Sequence, residues 1–268
     1  MRDLSVVIPI HHEDPTTVEN LYNGLKELGC QVIIVDDGDT THLKVPKLTY
    51  PDHRGYGAAI KAGVRAAETP VICTMDGDGE HDINDVFKLY TVFNMIENCG
   101  MVVGCRWQKK ESPLRWIGRK MINSFATLWC RHLLLDLNSG MRVFRRDLAL
   151  GYEPILCDTF SFTTSLTMAL VTDNHKFAWF PINSGKRAFG RSKVRLIQDG
   201  LVTLWFIIWI GFALRTRGIR SWLRKLSGGQ SMSNQTGVEE PTQPTVSQKD
   251  YPSFSNYSGL TKSTDYFS

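Results

Sequence analysis

Short apolar runs alternate with helical patterns up to about residue 190. Five runs rich in β-branched and other apolar residues predict strands: Leu4–Ile10, Gln31–Val35, Val71–Met75, Met101–Gly104 and Met141–Phe144. Between them, apolar residues at helical spacing predict helices such as Thr17–Leu28, Tyr56–Ala67 and Ile83–Ile96. This order of elements predicts an α/β fold with a mostly parallel sheet flanked by helices.

Acidic residues follow two of the predicted strands directly. Asp36-Asp37 end the second run, and Asp76-Gly77-Asp78 follow the third, with Glu80 and His81 just beyond. Ligands of such sheets bind beyond the carboxyl ends of the strands, so we expect the two acidic clusters to share one crevice. Paired buried carboxylates repel each other and usually need a cation, and hard oxygen ligands suit Mg²⁺ or Mn²⁺. An acidic turn is the plain alternative for each cluster taken alone.

Two further motifs surround these clusters. Val6–Glu13 is a strand that has a proline near its end and an acid four residues after that proline. Arg54–Gly63 is a glycine-rich entry into an alanine-rich helix, whose free N–H groups favour an anion. It lacks the Gly-Lys-Ser/Thr ending and is therefore not a P-loop.

The motifs, taken in order, resemble a known enzyme family. Val-Ile-Pro with Glu13, Val-Asp-Asp-Gly, Gly-x-Gly-x-Ala and Met-Asp-x-Asp-x-x-His are similar to the motifs of GT-A glycosyltransferases of family 2. Within that family the chain resembles the polyprenyl-phosphate hexosyltransferases, the dolichyl-phosphate mannosyltransferase group. Three later segments extend the resemblance to about residue 195: Gly104–Trp107, Asp136–Arg142 and Arg187–Lys193.

The resemblance implies a role for each matching residue. The nucleotide-sugar pocket would be lined by Pro9, His11, Glu13, Val35, Asp37, Asp76, Gly77, Asp78, Arg106, Arg187 and Lys193. The divalent metal, Mg²⁺ or Mn²⁺, would be held by Asp76, Asp78 and Glu80. The catalytic set would be Asp78, Arg106, Asp136, Arg187 and Lys193, with the Ser139-Gly140 turn on the acceptor side. This chain departs from the family pattern at His11, where an aromatic residue is usual, and at Glu80, where glutamine is frequent.

A tryptophan-rich apolar segment follows the resembling part. Leu201–Leu214 is interrupted only by Thr203 and Gly211, and it is shorter than the roughly 20 residues of a full membrane span. Basic residues flank it on both sides, and tryptophans lie near those bases, which favours a helix at the membrane interface. A buried core helix is the alternative. From Ser227 the chain is rich in Ser, Thr, Gln and Pro and predicts a disordered tail. We therefore expect a catalytic domain over 1–195, a membrane-associated segment over 196–226 and a tail over 227–268.

Composition limits the function classes. The net charge of +4 is compatible with phosphorylated substrates or anionic lipid, and no nucleic-acid recognition motif accompanies the bases after residue 214. The six cysteines include no Cys-x-x-Cys pair, which argues against a zinc site and fits reduced thiols. The N-terminus lacks a signal-peptide pattern, so we expect the protein at the cytoplasmic face of a membrane. A membrane partner and a homo-oligomer are the two assemblies that we consider.

The combined expectation is an inverting, metal-dependent hexosyltransferase. It would move a hexose from a UDP- or GDP-linked donor to a polyprenyl phosphate, dolichyl or undecaprenyl. The alternatives are a family 2 enzyme with a soluble glycan or protein as acceptor, and a catalytically silent nucleotide-binding module. The sequence leaves the sugar and the donor base open.

Overall fold

The computed structural model describes residues 1–38, 43–50, 52–106, 113–183, 205, 207–209 and 212. All of them lie within one compact unit, Met1–Arg224.

Seven strands form one mixed sheet in these described ranges, in the spatial order β3-β2-β1-β4-β6-β5-β7. Four of the strand pairings are parallel, and only β6 runs antiparallel to its two neighbours. The predicted α/β fold with a mostly parallel sheet is therefore confirmed. The strands are β1 Leu4–Ile10, β2 Gln31–Asp36, β3 Lys47–Thr49, β4 Val71–Thr74, β5 Cys99–Cys105, β6 Arg142–Arg145 and β7 Lys176–Pro181.

Helices cover both faces of this sheet. They are α1 Pro15–Glu27, α2 Tyr56–Ala66, α3 Ile83–Met95, α4 Pro113–Cys130, α5 Arg146–Tyr152 and α6 Phe162–Thr172, with a short 3₁₀ turn at Glu153–Ile155. Local sequence explains where two of them begin. The Asp14 carboxylate accepts a hydrogen bond from the Thr17 N–H at the start of α1, and Asp82 does the same for Asn84 at the start of α3.

Strand β1 lies in the middle of the core and faces both sides. Val6 and Ile8 pack in one hydrophobic cluster with residues of α1 and α3, whereas Val7 packs in the other with residues of α2 and α6. Successive side chains of a strand point to opposite faces, so a strand covered on both faces has apolar residues throughout. This burial explains why Val6–Ile10 is a continuous apolar run in the sequence.

The reversed direction of β6 brings a further loop to the carboxyl edge of the sheet. Arg142, the first residue of β6, is opposite Thr74, the last of β4, and Gly104 N–H donates to the Met141 carbonyl. The Thr74 hydroxyl also donates to the Gly140 carbonyl at 2.7 Å. The segment Asp136–Met141 therefore lies beside the residues that follow β4.

The structure also bears on the cysteines and on the C-terminal segment. All six cysteines are buried free thiols. In the described ranges no helix has both the length and the apolarity to cross a membrane. The tail and most of the predicted membrane-associated segment lie outside the described residues, so the three-part domain division stays a prediction.

Candidate active site

Asp76 stands at the centre of the site, two residues after β4. Its Oδ1 accepts a 2.8 Å hydrogen bond from the Tyr56 hydroxyl, at the first turn of α2. Its Oδ2 lies 3.6 Å from His81 Nε2. The Asp76 side chain keeps 29% of its surface exposed, whereas the side chain of His81 is almost fully enclosed. The Asp76 carboxylate is thus partly exposed and has a polar neighbour at each of its two oxygens.

The environment keeps Asp76 ionised. Burial by itself would raise the pKa of Asp76, but His81, the Tyr56 hydroxyl and the Arg106 cation outweigh it and lower the pKa to about 2. Burial and the adjacent Asp76 carboxylate raise the pKa of Tyr56 well above its usual value, so the phenol stays protonated and donates. An ionised carboxylate is the form that binds a metal ion.

Asp78 and Glu80 follow on the same turn. The Asp78 Oδ1 accepts a hydrogen bond from the Glu80 N–H at 3.0 Å, and Glu80 is nearly buried. In the described part of the chain no three His, Cys, Asp or Glu residues form a preassembled metal cage. A cage is not required, since Mg²⁺ usually takes one or two protein carboxylates and completes its shell with water and substrate phosphates. The hard oxygen donors of Asp76 and Asp78 fit such an ion.

The two aspartates after β2 have different partners. The buried Asp36 pairs with Lys47 Nζ at 2.6 Å. The carboxylate of Asp37 accepts 2.7 Å hydrogen bonds from the backbone N–H groups of both Arg54 and Gly55. Asp37 therefore fixes the loop that leads into α2 and Tyr56, and its predicted contact with the nucleotide stays a prediction.

The predicted pocket residues of β1 and β2 lie together at the same edge. Pro9 and Val35 are directly opposite each other in the sheet. His11 follows β1, donates its backbone N–H to Glu13, and has its Nδ1 2.9 Å from the Asp37 carbonyl. Gly77 packs closely on β1, since a Cβ there would lie 2.7 Å from Ile10 Cγ2. The structure thus brings these residues to one side of Asp76.

Arg106 and Asp136 form a bidentate ion pair. Arg106 Nε and NH2 each donate to an Asp136 oxygen at 2.9 Å, and both side chains are largely buried. Burial opposes ionisation of Asp136, but the Arg106 charge and hydrogen bonds lower its pKa below the ordinary value. Two predicted site residues are thus brought together, and the guanidinium of Arg106 is oriented by Asp136.

Arg142 lies beneath the Asp136–Met141 loop and is fully buried. It donates to the carbonyls of Leu137, Ser139 and Thr163 and to the Thr167 hydroxyl. Burial lowers its pKa to about 10, so the guanidinium stays charged at neutral pH. Its contacts tie the loop that carries Ser139 and Gly140 to α6.

Comparison with known proteins identifies the chain's family. The family model described as "Glycosyl transferase family 2" matches residues 5–151. The chain belongs to glycosyl transferase family 2. The predicted family resemblance is thereby confirmed.

Curated relatives of this glycosyltransferase are distant. An uncharacterised protein of Methanocaldococcus jannaschii is 28% identical over 55% of this chain and 66% of the relative. The dolichyl-phosphate beta-glucosyltransferase of Dictyostelium discoideum is 24% identical, over 57% of each chain. The dolichyl-phosphate hexose transferase of Haloferax volcanii is 25% identical, over 54% of this chain and 68% of the relative. The chain thus spans about two thirds or less of the length of these relatives.

Solved structures show the same fold. Glucosyl-3-phosphoglycerate synthase from Mycobacterium tuberculosis, crystallised with Mn²⁺, UDP and phosphoglyceric acid, superposes with a TM-score of 0.62. The match covers 78% of each chain at 15% sequence identity. This similarity confirms the predicted GT-A fold.

Sequence reasoning left some predicted residues untested and missed others. Arg187 and Lys193 lie outside the described residues, so their phosphate contacts stay predictions. Tyr56 belongs to the glycine-rich motif, and no sequence pattern indicates its contact with Asp76. His81 follows Asp76 and Asp78 in one motif, and its place close to two acids is the sequence signal that points to a role.

Proposed function

We propose that this family 2 glycosyltransferase transfers a hexose, with inversion at C1, from a UDP- or GDP-linked donor to a polyprenyl phosphate. The observation that carries the proposal is the partly exposed Asp76 carboxylate, which follows β4 at the carboxyl edge of the sheet. Such an edge is where nucleotide ligands bind in open α/β sheets. Membership of family 2 and the carboxylate oxygens of Asp76 and Asp78 together favour a nucleotide-diphosphate sugar bound through a divalent ion.

The residues of the site divide the work of the transfer. Asp76 and Asp78, with Glu80 next to them, would hold Mg²⁺ or Mn²⁺, which as a Lewis acid stabilises a diphosphate leaving group. Arg106, oriented by Asp136, lies near enough to Asp76 to lower its pKa, and its charge would offset the charges of the donor and acceptor phosphates. Arg187 and Lys193 are proposed to contribute further positive charge to the same phosphates.

A phosphate acceptor suits a site organised in this way. The attacking oxygen of a polyprenyl phosphate already carries negative charge, so no strong general base is required. What the site must supply is the alignment of two anionic groups, and arginine does this well through bidentate contact with phosphate oxygens. The names of the Dictyostelium and Haloferax relatives support a lipid phosphate as the acceptor.

Exposed apolar surfaces support membrane association. On α4, Ile117, Met121 and Leu128 are exposed along one stripe, and the exposed Trp116 lies beside it. This helix carries three cations and no acid. The described helical residues Trp205, Ile208, Trp209 and Phe212 are also exposed, at the spacing of one helix face. Apolar faces with neighbouring bases suit an anionic membrane surface, and we propose that the protein works at the cytoplasmic face of a membrane.

A soluble phosphorylated acceptor is the second candidate. It is favoured by the fold match to a synthase crystallised with phosphoglyceric acid, a soluble phosphorylated compound. Both candidate reactions would use the same nucleotide-sugar site. They would differ in the acceptor that binds near the Asp136–Gly140 loop.

An acceptor competition separates the two candidates. Purified full-length protein would receive radiolabelled UDP- and GDP-hexoses with Mn²⁺, together with polyprenyl phosphate in detergent and an equimolar soluble phosphorylated acid. We expect label in the organic-extractable lipid. Label only in the water-soluble fraction would overturn the lipid acceptor in favour of the second candidate.

A further inference from the structure

His81 is a buried imidazole that the proposed mechanism does not yet use. It is 4% exposed, and in the described part of the chain neither ring nitrogen has a hydrogen-bond partner. Unpaired buried nitrogens are costly and rare in native proteins. Its Nε2 lies 3.6 Å from Asp76 Oδ2, which is too long for a hydrogen bond but close enough for one after a small contraction.

Tyr56 approaches the other oxygen of the same carboxylate and is held firmly. Its ring stacks on Phe160, with centroids 5.2 Å apart and planes 19° from parallel. Gly55, just before it, has a φ of 102° and donates its N–H to Asp37. In the same first turn of α2 the Ala58 N–H donates to the Asp158 carbonyl at 3.0 Å. These contacts hold the backbone around Tyr56 and thereby place its hydroxyl beside Asp76 Oδ1.

We propose that Tyr56 and His81 are a pair of positioning residues that fix the Asp76 carboxylate for the divalent ion, Tyr56 through Oδ1 and His81 through Oδ2. The inference rests on the proposed function, since it takes Asp76 as a metal ligand. Each carboxylate oxygen has a second lone pair, so both hydrogen bonds leave Asp76 able to bind the ion. A carboxylate oriented in advance does not lose rotamer freedom when the metal binds.

The pair also connects the two acidic clusters. Asp37 holds the backbone of Arg54 and Gly55, that backbone places Tyr56, and Tyr56 orients Asp76. Asp37 is thereby connected to Asp76 through two hydrogen bonds, which the backbone between Gly55 and Tyr56 links. In this arrangement Asp37 contributes to the metal side of the site without touching the ion.

Metal affinity tests the proposal directly. Mn²⁺ binding by full-length protein, followed by the electron paramagnetic resonance of free Mn²⁺ with and without UDP or GDP, would be compared for wild type, Tyr56→Phe and His81→Leu. Partners that orient metal ligands typically contribute about tenfold or more to affinity, so we expect each variant to bind Mn²⁺ about tenfold more weakly. His81→Gln, which keeps an N–H donor, should recover part of the loss. Mg²⁺ affinity, measured by competition, should fall by the same factor as Mn²⁺ affinity.

A matched control lies elsewhere in the fold. The hydroxyl of Tyr152 donates to the Asp173 carboxylate, so Tyr152→Phe removes the same type of contact away from the site. We expect wild-type Mn²⁺ affinity for Tyr152→Phe, and thermal unfolding would show that every variant is folded.

Three results would overturn the positioning roles or the assumption behind them. Folded Tyr56→Phe and His81→Leu proteins with Mn²⁺ affinity within twofold of wild type would remove both roles. A loss of Mn²⁺ affinity in His81→Leu without a loss for Mg²⁺ would make His81 a direct ligand, because imidazole prefers the transition metal. Unchanged Mn²⁺ binding in Asp78→Ala would instead refute the metal site itself, and with it the metal-dependent mechanism.

Discussion

The backbone of Gly140 lies directly against the carboxylate of Asp76. A Cβ at position 140 would lie 2.5 Å from Asp76 Oδ1 and 2.6 Å from Cγ, closer than real side-chain contacts allow. The Asp136–Met141 loop and the proposed metal ligand Asp76 are therefore in contact, and the absence of a side chain at Gly140 permits this contact. Positions of reacting groups matter at this scale, since a shift of about 1 Å can cost about a hundredfold in rate.

Gly140→Ala should displace Asp76 and lower sugar transfer by about a hundredfold. The fold should persist, because the added methyl group meets a partly exposed side chain and not a sheet backbone. Transfer rates with saturating donor and Mn²⁺ would be measured beside thermal unfolding. Gly151→Ala is the control, since a Cβ there has no atom within 4 Å and alanine is the better helix former. Transfer by Gly140→Ala at the rate of Gly151→Ala would contradict this account.

Asp136→Asn should destabilise the protein by about 3 kcal/mol, because it removes the carboxylate charge that pairs with the largely buried Arg106 guanidinium. Urea unfolding would measure this, with Asp147→Asn at the exposed Arg145–Asp147 pair as the control. An exposed pair contributes about 1 kcal/mol or less. Equal losses of unfolding free energy in the two variants would mean that burial does not increase the contribution of the Arg106–Asp136 pair.

The same pair predicts a dependence on pH. The folded pKa of Asp136 lies below its ordinary value, since Arg106 outweighs the effect of burial. The pair's contribution is therefore fully present above the ordinary carboxylate pKa of about 4 and is lost as the pH falls through the folded value. The stability difference between wild type and Asp136→Asn should shrink on acidification below about pH 4, and a difference that grew there would contradict the assignment.

Negative charge introduced into the apolar α4 stripe should release the protein from membranes. Met121→Glu with Leu128→Glu places two acids among exposed apolar residues, where anionic lipid would repel them. Flotation with vesicles of phosphatidylglycerol and phosphatidylcholine should show a loss of about tenfold in the bound fraction. Phe87→Glu with Met95→Glu makes the same change at exposed apolar residues of α3 and should float like wild type. If both double variants floated like wild type, α4 would not contact lipid.

The sequence predicts the inner strands well for a physical reason. Each of β1, β2 and β4 is an apolar run followed by a turn, because buried strands need apolar residues on both faces. The edge strands escaped prediction. Lys47–Thr49 has three residues, and Lys176–Pro181 is mostly only partly buried, so neither has a comparable run. The direction of β6 also could not be predicted, since an apolar run has the same pattern in either direction.

In the site too, the sequence predicts the residues of local motifs but not the contacts between residues distant in the chain. Asp76 and Asp78 are recognisable because their spacing and their place after a strand are local properties. The contacts of Asp76 with Tyr56 and Gly140 join residues 20 or more positions apart and exist only once the chain has folded. Arg106 and Asp136 were each predicted for the site, but their mutual ion pair was not, because no sequence pattern relates the two residues.

Metal-dependent sugar transfer by Asp78→Ala beside wild type tests the central claim most directly. Both proteins would be given radiolabelled nucleotide-hexose and polyprenyl phosphate, with Mn²⁺ and again with EDTA. The account predicts label in an organic-extractable, mild-acid-labile lipid for wild type with Mn²⁺, and its loss with EDTA and in a folded Asp78→Ala protein. Near-normal turnover by Asp78→Ala, or transfer by wild type that EDTA leaves unchanged, would contradict it.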